Sequence, residues 1–269
     1  MLTYGYHFEV CAIEAQPQLI TLAGDLDNQF HHVFQKKYGY RKRTSHVNMR
    51  IEPDITSKEF LNIIKSSFDI DNDDFEFGLV GLHPCGDLGP TLLRLFNEIS
   101  NIKYINIVGC CYMKLSTNRC LNVGFPLSKF CKNNNYQLCY NSREIACHAI
   151  ENYIMKLNEG EYWKLKIHAY RATIEKILIE MDSQYKHIPL ANVKYSIDLD
   201  FGSYCKKATS KLFGDIIETA TIKSNEIENC LKQWNSVVIF YSFRLFFAPL
   251  IESSFYMIDI CTYKNKEMK

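Results

Sequence analysis

The stretch Gly78–Phe96, GLVGLHPCGDLGPTLLRLF, decides the fold. Its first five residues are apolar with no charge, as in a buried strand. Its last seven place leucines at helical spacing, and a Pro/Gly-broken turn carrying His83, Cys85 and Asp87 joins the two. A strand followed at once by an amphipathic helix is half of a βαβ unit, and reactive side chains at such a junction stand where open α/β sheets bind ligands.

Outward from this stretch the same alternation repeats. FEVCAI (Phe8–Ile13) reads as a strand ending at Glu14, and Leu19, Leu22, Ala23, Leu26, Phe30 and Val33 form a helical stripe after Pro17. HVNMRI (46–51) reads as a second strand closed by Glu52, Pro53 and Asp54. A short helix follows over 57–66, with Ser57 as its cap. YINIVGCCY (104–112) is a fourth strand without charge. Strands this apolar suit a mostly parallel sheet covered on both faces. Beyond Tyr112 the pattern turns helical: SREIACHAIENYIMKLNEG carries a stripe of Ala146, Cys147, Ile150, Tyr153, Ile154 and Leu157 closed by Gly160, with further helices near 162–181 and 224–233. The expected organisation is an α/β core over residues 1–112 and a mostly helical part over 113–269.

Composition narrows the function classes. The chain has 269 residues, 47% of them hydrophobic, enough for a sizeable core, and 31 Lys plus Arg against 30 Asp plus Glu, so no global field announces a nucleic-acid binder. Eleven cysteines without a secretory leader at MLTYGYHFEV point to reduced thiols in the cytosol or nucleus. Ser236–Tyr263 is apolar enough to imitate a membrane span. Arg244, Glu252 and Asp259 interrupt it along one helical line, which reads instead as a buried helix with one polar stripe, broken at Pro249, and no membrane partner is expected. The run Lys36, Lys37, Arg41, Lys42, Arg43, interleaved with Tyr38 and Tyr40, reads as a solvated loop ahead of a nucleic-acid contact.

Every unusual polar cluster follows a strand: Glu14 the first, Asp54 the second, His83, Cys85 and Asp87 the third, Cys110, Cys111 and Tyr112 the fourth. A carboxylate at a strand tip can accept ribose hydroxyls, and a second acid can read an adenine amine. Each residue has a plainer role as well. Glu14 can be a solvated strand end, Asp87 a helix cap, and His83 a loop-fixing histidine or a proton acceptor. Zinc would require His83, Cys85, Cys110, Cys111, Cys147 and His148 to converge. None of them forms a C-x₂-C pair, and neighbours on a strand point to opposite faces, so no metal site is expected.

LVGLHPCGDLGPTLLRLF, IVGCCYMKLS, GFPLS, SREIACHAIENY and FYSFRLFFAPLIES together resemble the methyltransferase-like protein 25 family. The resemblance covers most of the chain and is most specific over residues 78–155. It implies an incomplete class I, Rossmann-like α/β fold that binds S-adenosyl-L-methionine. Glu14, Asp54, His83 and Cys85 would lie on the cofactor, and His83, Asp87, Cys110 and Tyr112 at the methyl acceptor. Similar H-x-C-G and C-C segments occur in a eukaryotic tRNA ribose methyltransferase family, which implies RNA as the partner. Two departures accompany the resemblance. The family's V-D-x-G-x-G-x-G strand and loop do not precede MLTYGYHFEV, and its closing hairpin does not follow CTYKNKEMK. The expectation is therefore a fragment of a methyltransferase, or a noncatalytic remnant acting as an interaction scaffold.

Overall fold

The computed structural model describes residues 2–39, 43–117, 124–148, 150–212 and 224–263. The chain divides into two compact units, one of Met1–Tyr140 with Phe255–Lys269 and one of Asn141–Ser254. The first of these units runs past residue 112, to Tyr140, and takes in the chain from Phe255 onward.

The first unit is an α/β layer. Through its fourth strand the elements run α1 (Leu2–Tyr6), β1 (Cys11–Glu14), α2 (Pro17–Tyr38), β2 (Ser45–Asn48), α3 (Ser57–Phe68), β3 (Phe77–Leu82), α4 (Leu88–Glu98) and β4 (Ile102–Val108), with a 3-10 turn at Tyr112–Lys114 and a short helix at Lys129–Asn133 after it. The four strands fall at the four predicted places. β1 pairs with β2 and β3 with β4, each pair parallel, as βαβ crossovers require. No ladder among the described residues joins the two pairs, so the single sheet expected from the sequence is two parallel ribbons. Parallel strand pairs with helices between them are the Rossmann-like α/β arrangement expected from the sequence. Both ribbons contribute to one core, in which Phe60, Ile64, Leu79, Leu92, Leu95, Ile99 and Ile102 are buried and Ile13 packs against them.

Local chemistry explains the helix starts. Pro17 opens α2, where its missing N–H costs nothing, and Gly39 ends it in the left-handed conformation (φ 65°). Lys36, Lys37 and Tyr38 are therefore helical, not part of the predicted loop. The cap of α3 is Thr56 instead of Ser57: its side chain accepts from the Glu59 N–H while the Glu59 carboxylate accepts from the Thr56 N–H.

Which faces are covered differs from expectation. On the β3–β4 ribbon, Leu79 and Gly81 with Ile105 and Ile107 face the core, whereas Val80 and Leu82 are 59% and 73% exposed. One face of the ribbon is covered by described residues, not two. On α2 the covered residues are Ile20, Ala23, Gly24, Asp27, His31 and Phe34. The apolar stripe Leu19, Leu22, Leu26, Phe30 and Val33 is exposed, because β1, β2 and α1 meet the neighbouring face of the helix. Gly78 has a definite packing reason. The Tyr104 ring, its register partner, lies where a Cβ at Gly78 would stand, 1.9 Å away.

The second unit is helical. Lys166–Met181 is its central helix, burying Ala169, Tyr170, Thr173, Ile174, Ile177 and Leu178, with Phe201–Thr209 and Asn225–Lys232 packed beside it. The helix predicted through SREIACHAIENY is broken, into Tyr140–Ile145 and Ile150–Asn158. The long apolar segment splits as proline requires, into Trp234–Leu245 and Ala248–Tyr263, with Pro249 in the first turn of the second helix. Trp234–Phe255 meets the length and composition of a membrane-crossing segment, with mean hydropathy 1.4 in its best window. Its predicted burial is inverted. Ile239, Phe240, Phe243, Phe246, Phe247 and Leu250 are exposed, while Arg244 turns inward and donates to the Asn141 carbonyl at 3.2 Å and to Glu144 at 3.4 Å.

Candidate functional site

The site is built by the loops that leave β3 and β4. The His83 N–H donates to the Val108 carbonyl at 3.1 Å, so the two strands stay in register to their last residues. His83 then takes a left-handed backbone (φ 58°), as does Gly86 (φ 62°), and between them Pro84 is buried. These two reversals turn Cys85 back over the end of β4. There the chain leaves the extended conformation at Gly109, so Cys110 and Cys111 are not on the strand.

The expected opposition of the two neighbouring cysteines therefore fails. Cys85 Sγ lies 3.4 Å from Cys110 Sγ, and Cys110 Sγ lies 3.5 Å from Cys111 Sγ. All three are free thiols of intermediate burial. Burial, with hydrogen bonding to Cys111, holds the Cys85 thiol above its ordinary range. Burial and bonding to both neighbours push Cys110 up to about 12. Protons thus stay on Cys85 and Cys110 unless something displaces them.

Asp87 does not cap its helix. Its side chain makes no capping bond at the start of α4, and the carboxylate reaches across to accept from the Ser116 N–H at 2.8 Å, past the end of β4. The backbone around Asp87 (ψ 0°) is already helical, whereas a capping residue is extended. Its carbonyl accepts instead from Thr91 N–H at 2.9 Å and Thr91 Oγ1 at 2.7 Å. Tyr112, expected to face an acceptor, is buried. Its ring stacks on Phe255 at 4.5 Å and 10° and covers Gly109, which makes it a wall of the loop.

The two acids lie on the β1–β2 side. Glu14 ends β1. Its Oε1 accepts from the Gln16 N–H at 2.9 Å, and its carbonyl accepts from Asn48 Nδ2 and Met49 N–H on the β2 side. Its second carboxylate oxygen has no partner among the described residues. Asp54 is exposed in the turn before α3, and that turn is held by Arg94 of α4, which donates to the carbonyls of Pro53 (3.2 Å) and Ile55 (2.6 Å) and pairs with Glu98 (2.9 Å). Arg94 is absent from the sequence-derived site. An arginine interrupting the apolar run TLLRLF was its one visible signal. The structure thus gathers Cys85, Cys110 and Cys111, ties Asp87 to Ser116, and keeps Glu14 and Asp54 at strand exits, without a described hydrogen bond to the thiols.

These exits carry their residues on a scaffold with known relatives. A family described as a methyltransferase domain matches residues 1–118. Residues 1–118 are thus similar to that domain. Proteins with the name "Probable methyltransferase-like protein 25" from Mus musculus and Homo sapiens are 28% and 29% identical to the chain over 199 and 198 residues, about 70% of it. The chain is thus a relative of that group. It spans about a third of the length of these curated relatives. No solved structure matches it significantly. Within the matched residues 1–118 lie the exits of all four strands, and with them the Asp87–Ser116 clasp and the thiols.

Proposed function

We propose that the methyltransferase domain uses S-adenosyl-L-methionine and that RNA is its methyl acceptor. One observation carries the cofactor assignment: a carboxylate with one oxygen fixed by Gln16 N–H and the other without a described partner stands at the tip of a parallel strand. That arrangement fits a ribose diol, which donates two hydroxyls to one fixed acid. Asp54, exposed in the turn that Arg94 clamps, is the acid suited to an adenine amine. The bound cofactor would supply an electrophilic methyl group, which the acceptor would take in line as the cofactor's sulfur leaves as a neutral thioether. The protein's part is then positioning and exclusion of water. The clasp from Asp87 to Ser116 holds the two loops together, and Cys85 and Cys110 meet at their base, 3.4 Å apart. RNA is supported by the H-x-C-G and C-C segments, and a cytoplasmic or nuclear location by the abundance of free thiols.

The test is titration calorimetry of the chain with S-adenosylmethionine and with S-adenosylhomocysteine. Little or no binding is expected for these 269 residues alone, and binding for a chain extended by the glycine-rich loop, weakened at least tenfold there by Glu14→Ala; an extended Glu14→Ala variant that binds as tightly as its parent removes Glu14 from the site. Absence of binding by the folded extended chain would leave the scaffold alternative standing. Transfer of labelled methyl groups to total RNA, against protein as competitor, decides the acceptor class.

A further inference from the structure

We infer that Cys85, Cys110 and Cys111 form a thiolate site for a thiophilic divalent ion, zinc, at the exits of β3 and β4. Their ligand atoms all lie within 4.8 Å of one another. Four-coordinate zinc with Zn–S bonds of about 2.3 Å sets sulfurs roughly 3.8 Å apart, so separations of 3.4 and 3.5 Å need only a few tenths of an ångström of opening. Two thiols in contact would suggest a disulfide pair. A third sulfur within reach of both is what an ion requires and a disulfide does not use.

The loops fix this geometry through their own backbone. Left-handed His83 and Gly86 aim Cys85, the ladder bond from His83 N–H to the Val108 carbonyl sets the height of the two strand ends, and the bond from Ser116 N–H to Asp87 closes the second loop over the first. A preformed set of donors loses less ordering entropy on binding than a flexible one. The donors are all sulfur, which selects zinc over magnesium or calcium. No other His, Cys, Asp or Glu among the described residues joins the group, so the ion keeps an outward coordination position for water or for a heteroatom of a bound molecule. Each thiol that enters as S–H gives up its proton to solvent when its sulfur bonds the metal, with no change of oxidation state, so no oxidant or reductant is needed.

Cobalt(II), the spectroscopic stand-in for zinc, tests the site. The full chain, reduced and stripped of metal by a chelator, is expected to take up one cobalt ion with a thiolate-to-cobalt charge-transfer band, and zinc is expected to displace it. Cys85→Ser and Cys110→Ser should each abolish the band, whereas Cys139→Ser, an exposed cysteine elsewhere, should keep it. Because a serine variant can fail to fold, the parent chain is also alkylated with and without zinc, and modified peptides are mapped. Protection by zinc is expected at Cys85, Cys110 and Cys111 together. A parent chain without the band, a band that survives in Cys85→Ser with Cys110→Ser, or protection at other cysteines overturns the site. None of these readouts uses S-adenosylmethionine, so the zinc site and the methyltransferase proposal fail separately.

Discussion

Asp87 accepts a 2.8 Å hydrogen bond from the backbone N–H of Ser116, so a side chain on the β3 exit fixes the backbone of the β4 exit. Bonds to a charged acceptor contribute about 1.5–3 kcal/mol, and an N–H left without its acceptor costs on that scale. Asp87→Ala should lower the unfolding free energy by about that much. Asp87→Asn keeps an acceptor oxygen and should lose less. Urea unfolding of the two variants checks this, and equal losses would show that the bond is not what the aspartate supplies.

The core and the exposed stripe of α2 give opposite outcomes for the same substitution. Leu95 of α4 is fully buried in the core of the first unit, and Leu95→Ala should cost about 2–5 kcal/mol. Leu26 is 46% exposed, and Leu26→Ala should stay within about 0.5 kcal/mol. If Leu26→Ala destabilises like Leu95→Ala, the α2 stripe is covered in solution by something outside the described residues.

This pair also shows where the sequence is legible. Helices, strands and their ends depend on short-range chemistry: Pro17 and Gly39 bound α2, Thr56 and Glu59 start α3, and Pro249 splits the last apolar segment. Burial depends on which element lies opposite, and periodicity cannot name it. The apolar periodicity of α2 and of Trp234–Leu245 is real, yet the packed faces are those that carry His31 and Arg244. The site divides in the same way. Four strand exits with polar residues are visible as a pattern, whereas the meeting of Cys85 with Cys110 and Cys111 depends on two left-handed residues and on the chain leaving β4 at Gly109, none of which a spacing rule registers.

The second unit should carry a pH dependence through His168. Its ring stacks on Tyr241 at 4.2 Å, and burial first, with Lys156, His148 and Arg171 adding repulsion against an opposing pull from Glu144, pushes its pKa down from 6.5 to about 4. The folded chain keeps the ring neutral while the unfolded chain protonates near 6.5, so the unfolded state binds the extra proton in between. Stability is therefore full above about pH 7, falls as the pH drops from 6.5 towards 4, and levels below that, with a loss of at most about 3 kcal/mol. Urea midpoints against pH measure it. His168→Gln should flatten this part of the profile, and an unchanged slope would assign the dependence to other groups.

Arg244 and its neighbour Phe243 reverse the usual ranking of helix substitutions. Arg244 pairs with Glu144 at 3.4 Å and donates to the Asn141 carbonyl at 3.2 Å, which fastens Trp234–Leu245 to the helix Tyr140–Ile145. Burial alone would raise the Glu144 pKa, but its hydrogen bond to His148 and the charges of His148, Arg244 and Arg171 together hold it below the ordinary range. Removing Arg244 strips one cation from this partly buried acid and frees a carbonyl, so Arg244→Ala should cost about 1–3 kcal/mol. Phe243 is 63% exposed, and Phe243→Ser should change stability by no more than about 0.5 kcal/mol while removing apolar surface. A segment crossing a bilayer would rank them the other way, since there the aromatic faces lipid and the arginine is the costly residue. Unfolding free energies of the two variants in aqueous buffer, with partition of the parent chain between buffer and liposomes, separate the cases. A greater loss from Phe243→Ser than from Arg244→Ala, together with stable liposome retention, would overturn the inward placement of Arg244.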